Sequence, residues 1–309
     1  MNLAKPDISI VSPCFNEEEN IITFIESVNK NLNEISKNYE IIIVDDGSTD
    51  KTWSIINQIK LKYGKKLKAI KFTRNFGHQK ALICGIRKAS GNKILTMDSD
   101  LQHPPNLIPS LYKELLKDEY DIISCTRIVH SLSIKYFFSN IFYYFFNIIS
   151  KNKIKKNVSD FKIFKKDIKN ALESINEKNI FLRGVIPWLG YKEKTITYKL
   201  EKRKKGKSKL GFKHQLSFSF DAIFGFSFLP RRFSFYISVL FFLLFIILLF
   251  TGVTNNFKLI NDTFLYFTFL FVVLVLFSIF LGLGIVTEYL ARILEQTQNR
   301  PDYVIKKEI

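Results

Sequence analysis

The sequence predicts an α/β fold with a mostly parallel sheet covered by helices on both faces. Apolar runs rich in β-branched residues alternate with helix-length segments between residues 8 and 125. The apolar runs are nearly continuous, as expected for strands that are buried on both faces. Polar residues follow the runs directly, and in parallel sheets ligands bind beyond the carboxyl ends of the strands. Together these observations predict a ligand-binding α/β domain.

Five strands and four helices can be placed in this region. The predicted strands are residues 8–11, 40–44, 67–72, 93–97 and 121–124. The predicted helices are roughly residues 17–36, 50–63, 78–90 and 106–118. Each helix is long enough to serve as the crossover that two parallel strands require.

Polar clusters follow four successive strands. They are Pro13–Glu17, Asp45–Ser48, Arg74 with Asn75, and Asp98–Gln102. Because the carboxyl ends of parallel strands meet at one edge, these clusters predict a shared crevice.

The last cluster predicts a metal site. In an extended segment, Asp98, Asp100 and Gln102 would point to the same side. Carboxylate oxygens suit Mg²⁺ or Mn²⁺ held by one or two carboxylates, with phosphate oxygens completing the coordination. For an isolated acidic pair, the alternative is a solvated turn before Pro104 and Pro105.

Two long apolar segments predict membrane-spanning helices. Residues 233–257 and 263–287 contain no charged side chain. Each exceeds the roughly 20 residues that span a hydrocarbon core. Arg231 and Arg232 precede the first segment and Arg292 follows the second. The positive-inside rule therefore predicts that the N-terminal part and the tail, residues 288–309, are both cytoplasmic. The chain's first residues show no apolar signal region, so secretion is not expected.

Two further regions predict contact with a membrane surface. The aromatic segment 132–150 suits an interfacial helix, although a packed core helix is the alternative. Residues 214–232 predict a second interfacial helix. The basic loop 201–211 contains Gly206, Ser208 and Gly211 and lies close in sequence to the predicted membrane segments. It therefore predicts a mobile basic loop attracted to anionic lipid or phosphate, with a solvated face as the alternative.

Composition narrows the classes of function. The net charge of +18 would permit a nucleic-acid binder, but the 31 Phe and 13 Tyr are crowded into particular stretches, which points to lipid. No G-x-G-x-x-G follows a strand, so a dinucleotide site is not expected. Cys14, Cys84 and Cys125 are widely spaced in apolar sequence and predict reduced, packed thiols.

Eight motifs then carry a resemblance to a known family. They are Ser12–Glu18, Val44–Asp50, Arg74–Gly77, Met97–Pro105, Ser159–Phe161, Phe181–Gly184, Pro187–Gly190 and Lys205–Lys209. With them the chain resembles the inverting family 2 glycosyltransferases of GT-A fold. More narrowly, it is similar to bacterial polyprenyl-phosphate (bactoprenol) glucosyltransferases and dolichol-phosphate mannose synthases. The likeness covers nearly the whole chain, with a catalytic domain over residues 1–213.

The resemblance implies a role for each matched position. The sugar nucleotide is expected to contact Pro13, Phe15, Glu17, Asp45, Asp46, Arg74, Asp98 and Ser99. Asp98, Asp100 and Gln102 should hold Mg²⁺ or Mn²⁺ against its diphosphate, and Asp100 and Asp160 are the expected catalytic carboxylates. The acceptor phosphate should contact Arg127, Arg203 and Lys207. The chain departs from the family pattern at Tyr136 and Lys162, where arginine is usual, and the two basic side chains are not equivalent at bidentate sites.

The implied reaction is inverting transfer of one sugar to a membrane polyprenyl phosphate at the cytoplasmic membrane, for glycan, lipopolysaccharide or cell-wall modification. A phosphate monoester is mostly deprotonated at neutral pH, so Asp160 is expected to orient groups more than to act as a base. UDP-glucose is the first choice of donor. UDP-galactose, N-acetylated UDP-sugars, a UDP-aminoarabinose derivative and GDP-mannose stay open, as does a homo-oligomer.

Two other functions are weighed. A processive polysaccharide synthase would carry a Gln-x-x-Arg-Trp motif, and neither Trp53 nor Trp188 has that context. A non-catalytic membrane scaffold, or a lipid- or nucleic-acid-binding module, would use the positive charge without needing Asp98 and Asp100. Metal-dependent hydrolysis of a sugar nucleotide, or sugar transfer from it, that is abolished by Asp100→Ala would indicate an enzyme rather than a non-catalytic protein.

Overall fold

The computed structural model describes residues 5–128, 158–178, 180–199, 236–237, 239–244, 246 and 262–309. The predicted interfacial segments 132–150 and 214–232 and the basic loop 201–211 lie outside the described residues, as does most of the predicted span 233–257. The chain divides into two compact units. One comprises residues 1–144, 152–216 and 301–309, and the other comprises residues 145–151 and 217–300.

The first unit is built on one mixed sheet. Its described strands are β1 (Ile8–Cys14), β2 (Tyr39–Asp45), β3 (Leu67–Phe72), β4 (Lys93–Thr96), β5 (Ile122–Ile128), β6 (Val158–Lys165), β7 (Glu193–Lys199) and β8 (Ile305–Glu308). They are ordered β7-β5-β6-β4-β1-β2-β3-β8. β6 and β8 pair antiparallel to their neighbours, and the remaining pairings are parallel. The predicted mostly parallel α/β sheet is therefore confirmed.

Helices cover both faces of this sheet. Those described in the first unit are α1 (Ile21–Asn33), α2 (Thr52–Tyr63), α3 (His78–Lys88), α4 (Ile108–Leu116), α5 (Lys166–Glu173) and α6 (Leu182–Trp188). All five predicted strands and all four predicted helices are present, with shifted ends.

The two faces follow from the alternation of side chains along each strand. On one face, Ile10 and Ile43 pack with Phe24 of α1 and Leu111 of α4 in the main hydrophobic core. On the other face, α3 approaches β1 and β2 closely. A Cβ added at Gly85 would lie 2.3 Å from Cγ1 of Val11. Both faces of the strands are thus buried, which explains why their sequences are apolar throughout.

The second unit contains a long apolar helix, α7 (Asp262–Thr297). An 18-residue window within its segment Leu270–Thr297 has a mean hydropathy of 2.8, and none of that window is buried, so the helix is long and apolar enough to cross a membrane. Phe277 is 65% and Phe280 70% exposed, which for phenylalanine side chains is costly in water. The second predicted span is thus a single helix, and it continues ten residues beyond the predicted end at residue 287.

The end of the chain contributes a strand to the first unit. Residues 301–309 belong to the first unit, where β8 pairs antiparallel with β3. The backbone N–H of Ile309 donates to the carbonyl of Ala69 at 2.9 Å, and the reciprocal bond has the same length. The C-terminal residues therefore form one edge of this sheet.

Candidate active site

The polar clusters meet at the carboxyl ends of β1 to β4, as predicted. The hydroxyl of Ser99 donates to the carbonyl of Pro13 at 3.0 Å and ties the Asp98–Asp100 turn to the end of β1. Gly47 has a φ of +72°, and a Cβ there would lie 2.3 Å from the backbone of Arg74. Glycine is therefore required where the loops after β2 and β3 touch.

Asp45 is fully buried at the end of β2. Its Oδ1 accepts the N–H of Ser48 at 2.8 Å. Its Oδ2 has no hydrogen-bond partner among the described residues and lies 3.7 Å from Nζ of Lys71. Burial raises the pKa of Asp45. An unsatisfied buried acceptor at a strand end is costly, and an N–H donor of a bound group would satisfy it.

Asp46 shapes the neighbouring loop. Its two carboxylate oxygens accept the N–H groups of Phe76 and Gly77 at 2.7 and 2.9 Å. Burial raises the pKa of Asp46, while these two hydrogen bonds oppose the rise. The side chain thereby holds the segment in which Gly77, with a φ of +108°, leads into α3. Asp46 was predicted only as a nucleotide contact, and this loop role is additional.

Three other residues that were predicted to contact the sugar nucleotide line the same edge of the sheet. Glu17 is buried, and its Oε2 accepts from the amide of Asn20 at 2.8 Å. Phe15 is half-buried. Arg74 is exposed, and its guanidinium lies 4.2 Å from the ring centre of Phe76. This edge therefore presents a buried carboxylate, a half-buried ring and an exposed cation.

The predicted extended arrangement of the acidic motif is wrong. β4 ends at Thr96, Ser99 and Asp100 lie in a turn, and Leu101 has a φ of +62°. The backbone N–H of Gln102 donates to Oδ1 of Asp100 at 3.1 Å, which closes the turn. The turn, rather than strand alternation, therefore sets the directions of the side chains.

Asp98 is held by two histidines that the sequence patterns did not single out. Its Oδ1 lies 2.8 Å from Nε2 of His78, at the start of α3. Its backbone N–H donates to Nδ1 of His103 at 3.0 Å, and its Oδ2 lies 3.6 Å from Nε2 of that ring. His103 is fully buried and stacks on Phe161 with ring centres 5.2 Å apart.

These contacts determine the charge at the turn. Despite burial, the two imidazoles and the guanidinium of Arg127 hold the pKa of Asp98 far below its usual range. Burial opposes a charge on His78, but Asp98 beside it raises the pKa of that imidazole. Burial lowers the pKa of His103, while the neighbouring Asp98 carboxylate opposes that change. Asp98 is thus an ionised carboxylate in a fixed position.

Asp160 lies beside this turn because of the sheet register. β6 pairs antiparallel with β4, and Thr96 lies opposite Lys162. Because the two strands run in opposite directions, the residues that follow Thr96 lie opposite those that precede Lys162, which places Asp160 next to the turn. The Asp160 carboxylate accepts hydrogen bonds from Nε and Nη2 of Arg183 at 3.1 and 2.8 Å, and from Nε2 of Gln79 at 3.2 Å. Burial opposes its ionisation, but Arg183 lowers the pKa of Asp160 to about 2.

Arg127 also reaches this region from β5. Its charge contributes to the lowered pKa of Asp98, and its buried Nε has no hydrogen-bond partner among the described residues. An unpaired buried N–H of a cation suits an anionic ligand. The other predicted acceptor contacts, Arg203 and Lys207, lie outside the described residues.

The described part of the chain contains no group of three or more His, Cys, Asp or Glu side chains that could hold a metal unaided. Two carboxylates on one turn nevertheless fit a hard cation whose remaining ligands come from a diphosphate. The donor set of Asp98, Asp100 and Gln102 is therefore compatible with Mg²⁺ or Mn²⁺ only together with a bound substrate.

Comparisons with known proteins agree with this geometry. Residues 9–175 match the family model described as Glycosyl transferase family 2. The chain is 32% identical to bactoprenol glucosyl transferase of Shigella phage SfII, with 97% of each chain covered. It is also 32% identical to the uncharacterized glycosyltransferase YkcC of Bacillus subtilis (strain 168), over 97% of this chain and 93% of that protein.

A solved structure supports the fold alone. Glucosyl-3-phosphoglycerate synthase from Mycobacterium tuberculosis, crystallised with Mn²⁺, UDP and phosphoglyceric acid, is 16% identical with a TM-score of 0.51. The match covers 72% of this chain and 77% of that one. With a family match over more than half of the chain and relatives above 30% identity along nearly its whole length, this chain belongs to glycosyl transferase family 2.

Proposed function

We propose that this glycosyltransferase moves a single sugar from a nucleotide donor to a polyprenyl phosphate in the membrane, with inversion at the anomeric carbon. UDP-glucose is the favoured donor, and GDP-mannose or another UDP-sugar is the alternative. The observation that carries the proposal is the meeting of the Asp98–Asp100 turn with Asp160 and Arg127 at one sheet edge, in a chain that also contains the apolar helix α7.

The proposed binding of the sugar-nucleotide donor is supported by residues at the ends of β1 and β2. The unsatisfied Oδ2 of Asp45 suits an N–H of the base, and the buried carboxylate of Glu17 suits the ribose. Arg74 lies on the adjoining loop, where its exposed guanidinium can approach the diphosphate.

Asp98, Asp100 and Gln102 would hold Mg²⁺ or Mn²⁺. When bound, the cation offsets the charge that develops on the departing diphosphate. His78 and His103 keep Asp98 ionised and in place before any ligand arrives. Such preorganisation means that the site needs little rearrangement at the moment of reaction.

The acceptor supplies its own nucleophile. A phosphate oxygen forms the bond to the anomeric carbon while the bond from that carbon to the diphosphate breaks, and the electron pair leaves with the nucleoside diphosphate. A dianionic monoester becomes a monoanionic diester, so no proton needs to move. A phosphate monoester has a second pKa of about 6 and is mostly dianionic at neutral pH. Attack opposite to the leaving group produces inversion.

The acceptor half is supported by the cation of Arg127 and by relatives named bactoprenol glucosyl transferases. Arg203 and Lys207 are further proposed phosphate contacts. Helix α7, with a second span over residues 233–257, would anchor the enzyme as a multi-pass protein of the cytoplasmic membrane. The catalytic unit would face the cytoplasm, where nucleotide sugars are made.

Replacing Asp100 tests the proposal. The full-length Asp100→Ala variant in detergent, given UDP-glucose, Mn²⁺ and farnesyl phosphate, should lose transfer by roughly 100-fold or more. It should also lose the thermal stabilisation that Mn²⁺ and UDP give to the wild type. Glu34→Ala, an exposed carboxylate at the end of α1, is the matched control and should behave as the wild type. Full transfer by Asp100→Ala would overturn the proposed metal-dependent reaction.

A further inference from the structure

We infer that Asp160 is a positioning residue that anchors Arg183, and that the guanidinium of Arg183 binds the phosphate of the acceptor. The inference rests on the proposed function and assigns a phosphate ligand, Arg183, that lies in the motif Phe181–Gly184 but was given no role by the resemblance. It gives Asp160 a task other than proton transfer.

The first support is the geometry of the ion pair. Nε and Nη2 of Arg183 contact separate oxygens of Asp160, at 3.1 and 2.8 Å. This two-point contact fixes the plane of the guanidinium as well as its position. A fixed plane is what bidentate recognition of a phosphate requires, and it is a property that lysine cannot supply.

The second support is a bridge made by Gln79. Its Nε2 donates to Oδ2 of Asp160 at 3.2 Å, and its Oε1 accepts the backbone N–H of Leu182 at 3.3 Å. Leu182 is the first residue of α6 and directly precedes Arg183. Gln79 therefore links the carboxylate to the backbone that carries the arginine, and both ends of the ion pair are held.

The third support is the difference in burial between the partners. The Asp160 side chain is 4% exposed, whereas that of Arg183 is 30% exposed. Both oxygens of Asp160 are occupied by the guanidinium, and Oδ2 also accepts from Gln79. A substrate can thus reach the arginine far more easily than the carboxylate.

The chemistry of the acceptor agrees with this assignment. Attack by a phosphate dianion releases no proton, so the reaction needs a cation to bind the acceptor more than it needs a base. An arginine paired with a carboxylate carries little net charge, which favours orientation of the phosphate without trapping the product. Arg127 lies in the same region and would supply the second cation.

Binding measurements on the full-length protein in detergent test the inference. The probe is farnesyl phosphate, titrated in the presence of UDP and Mn²⁺, with farnesol as the uncharged control. The variants are Asp160→Asn, Arg183→Gln, Arg183→Lys and the double variant Asp160→Asn with Arg183→Gln. Arg87→Gln is the matched control, because Arg87 is also 30% exposed and paired with a carboxylate, that of Asp302.

We expect Asp160→Asn and Arg183→Gln each to weaken farnesyl phosphate binding by roughly tenfold or more, the usual cost of losing a charge-assisted hydrogen bond. The double variant should bind about as weakly as Arg183→Gln alone, because both changes remove one interaction. Arg183→Lys should be intermediate. UDP affinity should stay at the wild-type level in all of them, which also verifies that each variant is folded.

Two results with the variants would overturn the inference alone. Unchanged farnesyl phosphate affinity in Asp160→Asn, with a large loss of kcat, would identify Asp160 as a base. Additive losses in the double variant would show that the two side chains act separately. Failure of the wild type to bind farnesyl phosphate at all would instead contradict the proposed acceptor, and the inference with it.

Discussion

Asp98 and Asp160 lie beside the same turn, but Asp98 is half-buried, with 26% of its side chain exposed, whereas Asp160 is buried, and their surroundings differ. Asp98 is bounded by two imidazoles, while Asp160 is clamped by a guanidinium and an amide. Both pKa values are lowered, so both groups are ionised at neutral pH. The site thus holds two fixed negative charges, one suited to a cation and one already neutralised by Arg183.

This difference predicts the pH dependence of the reaction. With a pKa of about 2, Asp160 stays ionised throughout the working range and cannot set the acid limb of activity. The acceptor phosphate, with a second pKa of about 6, should set it. We expect kcat/KM to fall as the pH drops through about 6. Replacing farnesyl phosphate by farnesyl phosphonate, which ionises less readily, should move the limb to higher pH.

Because both acceptors are compared on one enzyme, the effects of the protein's own titratable and charged groups cancel, including those of His78, Lys162 and Arg183 around Asp160. Measuring kcat/KM for both acceptors between pH 5 and pH 9 therefore isolates the contribution of the substrate. An acid limb at the same pH for both acceptors would mean that a group on the protein controls the rate.

The site shows what sequence could and could not predict at this scale. Asp98, Asp100 and Asp160 were identifiable because their motifs are short and contiguous. His78 and His103 were not, because imidazoles that meet across a turn show no regular spacing in the chain. The available signals were the position of His78, which opens a helix after the third strand, and the place of His103 inside the motif Met97–Pro105, directly after Gln102.

At the scale of elements, the loops after β2 and β3 depend on one close approach. Gly47 combines a φ of +72° with a Cβ position that the Arg74 backbone occupies. We expect Gly47→Ala to lower the free energy of unfolding by about 1–3 kcal/mol, and to raise the KM for the donor because Arg74 would be displaced. Thermal unfolding and donor kinetics measure the two effects.

Gly64→Ala is the control that separates backbone strain at a positive φ from the clash with the Arg74 backbone. Gly64 also has a positive φ, +55°, but no atom lies within 4 Å of its added Cβ. This control should show the backbone strain without the clash and without any change in KM. An equal effect of both substitutions on KM would contradict the proposed contact between the loops.

The C-terminal strand offers a second test. Tyr303 stacks on Phe72 with ring centres 4.9 Å apart, and Asp302 pairs with Arg87 at 3.6 Å. We expect Tyr303→Ala to destabilise the first unit by about 1–3 kcal/mol, because it removes a packed aromatic ring next to β3. Lys306→Ala, which changes an exposed side chain of β8, is the control. A thermal midpoint unchanged in Tyr303→Ala would show that the stacking of Tyr303 on Phe72 contributes no stability.

The strands differ in how well they could be predicted. β1 to β5 follow from buried, contiguous apolar runs. β6 carries alternating charges, Asp160, Lys162 and Lys165, and β8 has three charged residues in four, so neither matches the pattern of a buried strand. Each becomes a strand because an existing edge supplies hydrogen bonds, a tertiary effect that local sequence does not contain.

At the scale of the whole molecule, the family is established and the acceptor is proposed. A catalytic sheet and an apolar helix are combined in one chain, and the segments between them lie mostly outside the described residues. The membrane assignment of 263–287 from its uncharged composition agrees with a single continuous helix. The identity of the sugar depends on contacts that neither motif spacing nor strand order determines.

The most direct test of the account is the lipid product itself. The full-length protein, reconstituted in vesicles with undecaprenyl phosphate and Mg²⁺ or Mn²⁺, would be given a panel of UDP-sugars and GDP-mannose. Mass spectrometry of the extracted lipid should show undecaprenyl phosphate enlarged by one hexose with UDP-glucose, and no such product from Asp100→Ala. Unmodified lipid with every donor, despite intact UDP binding, would contradict the central claim.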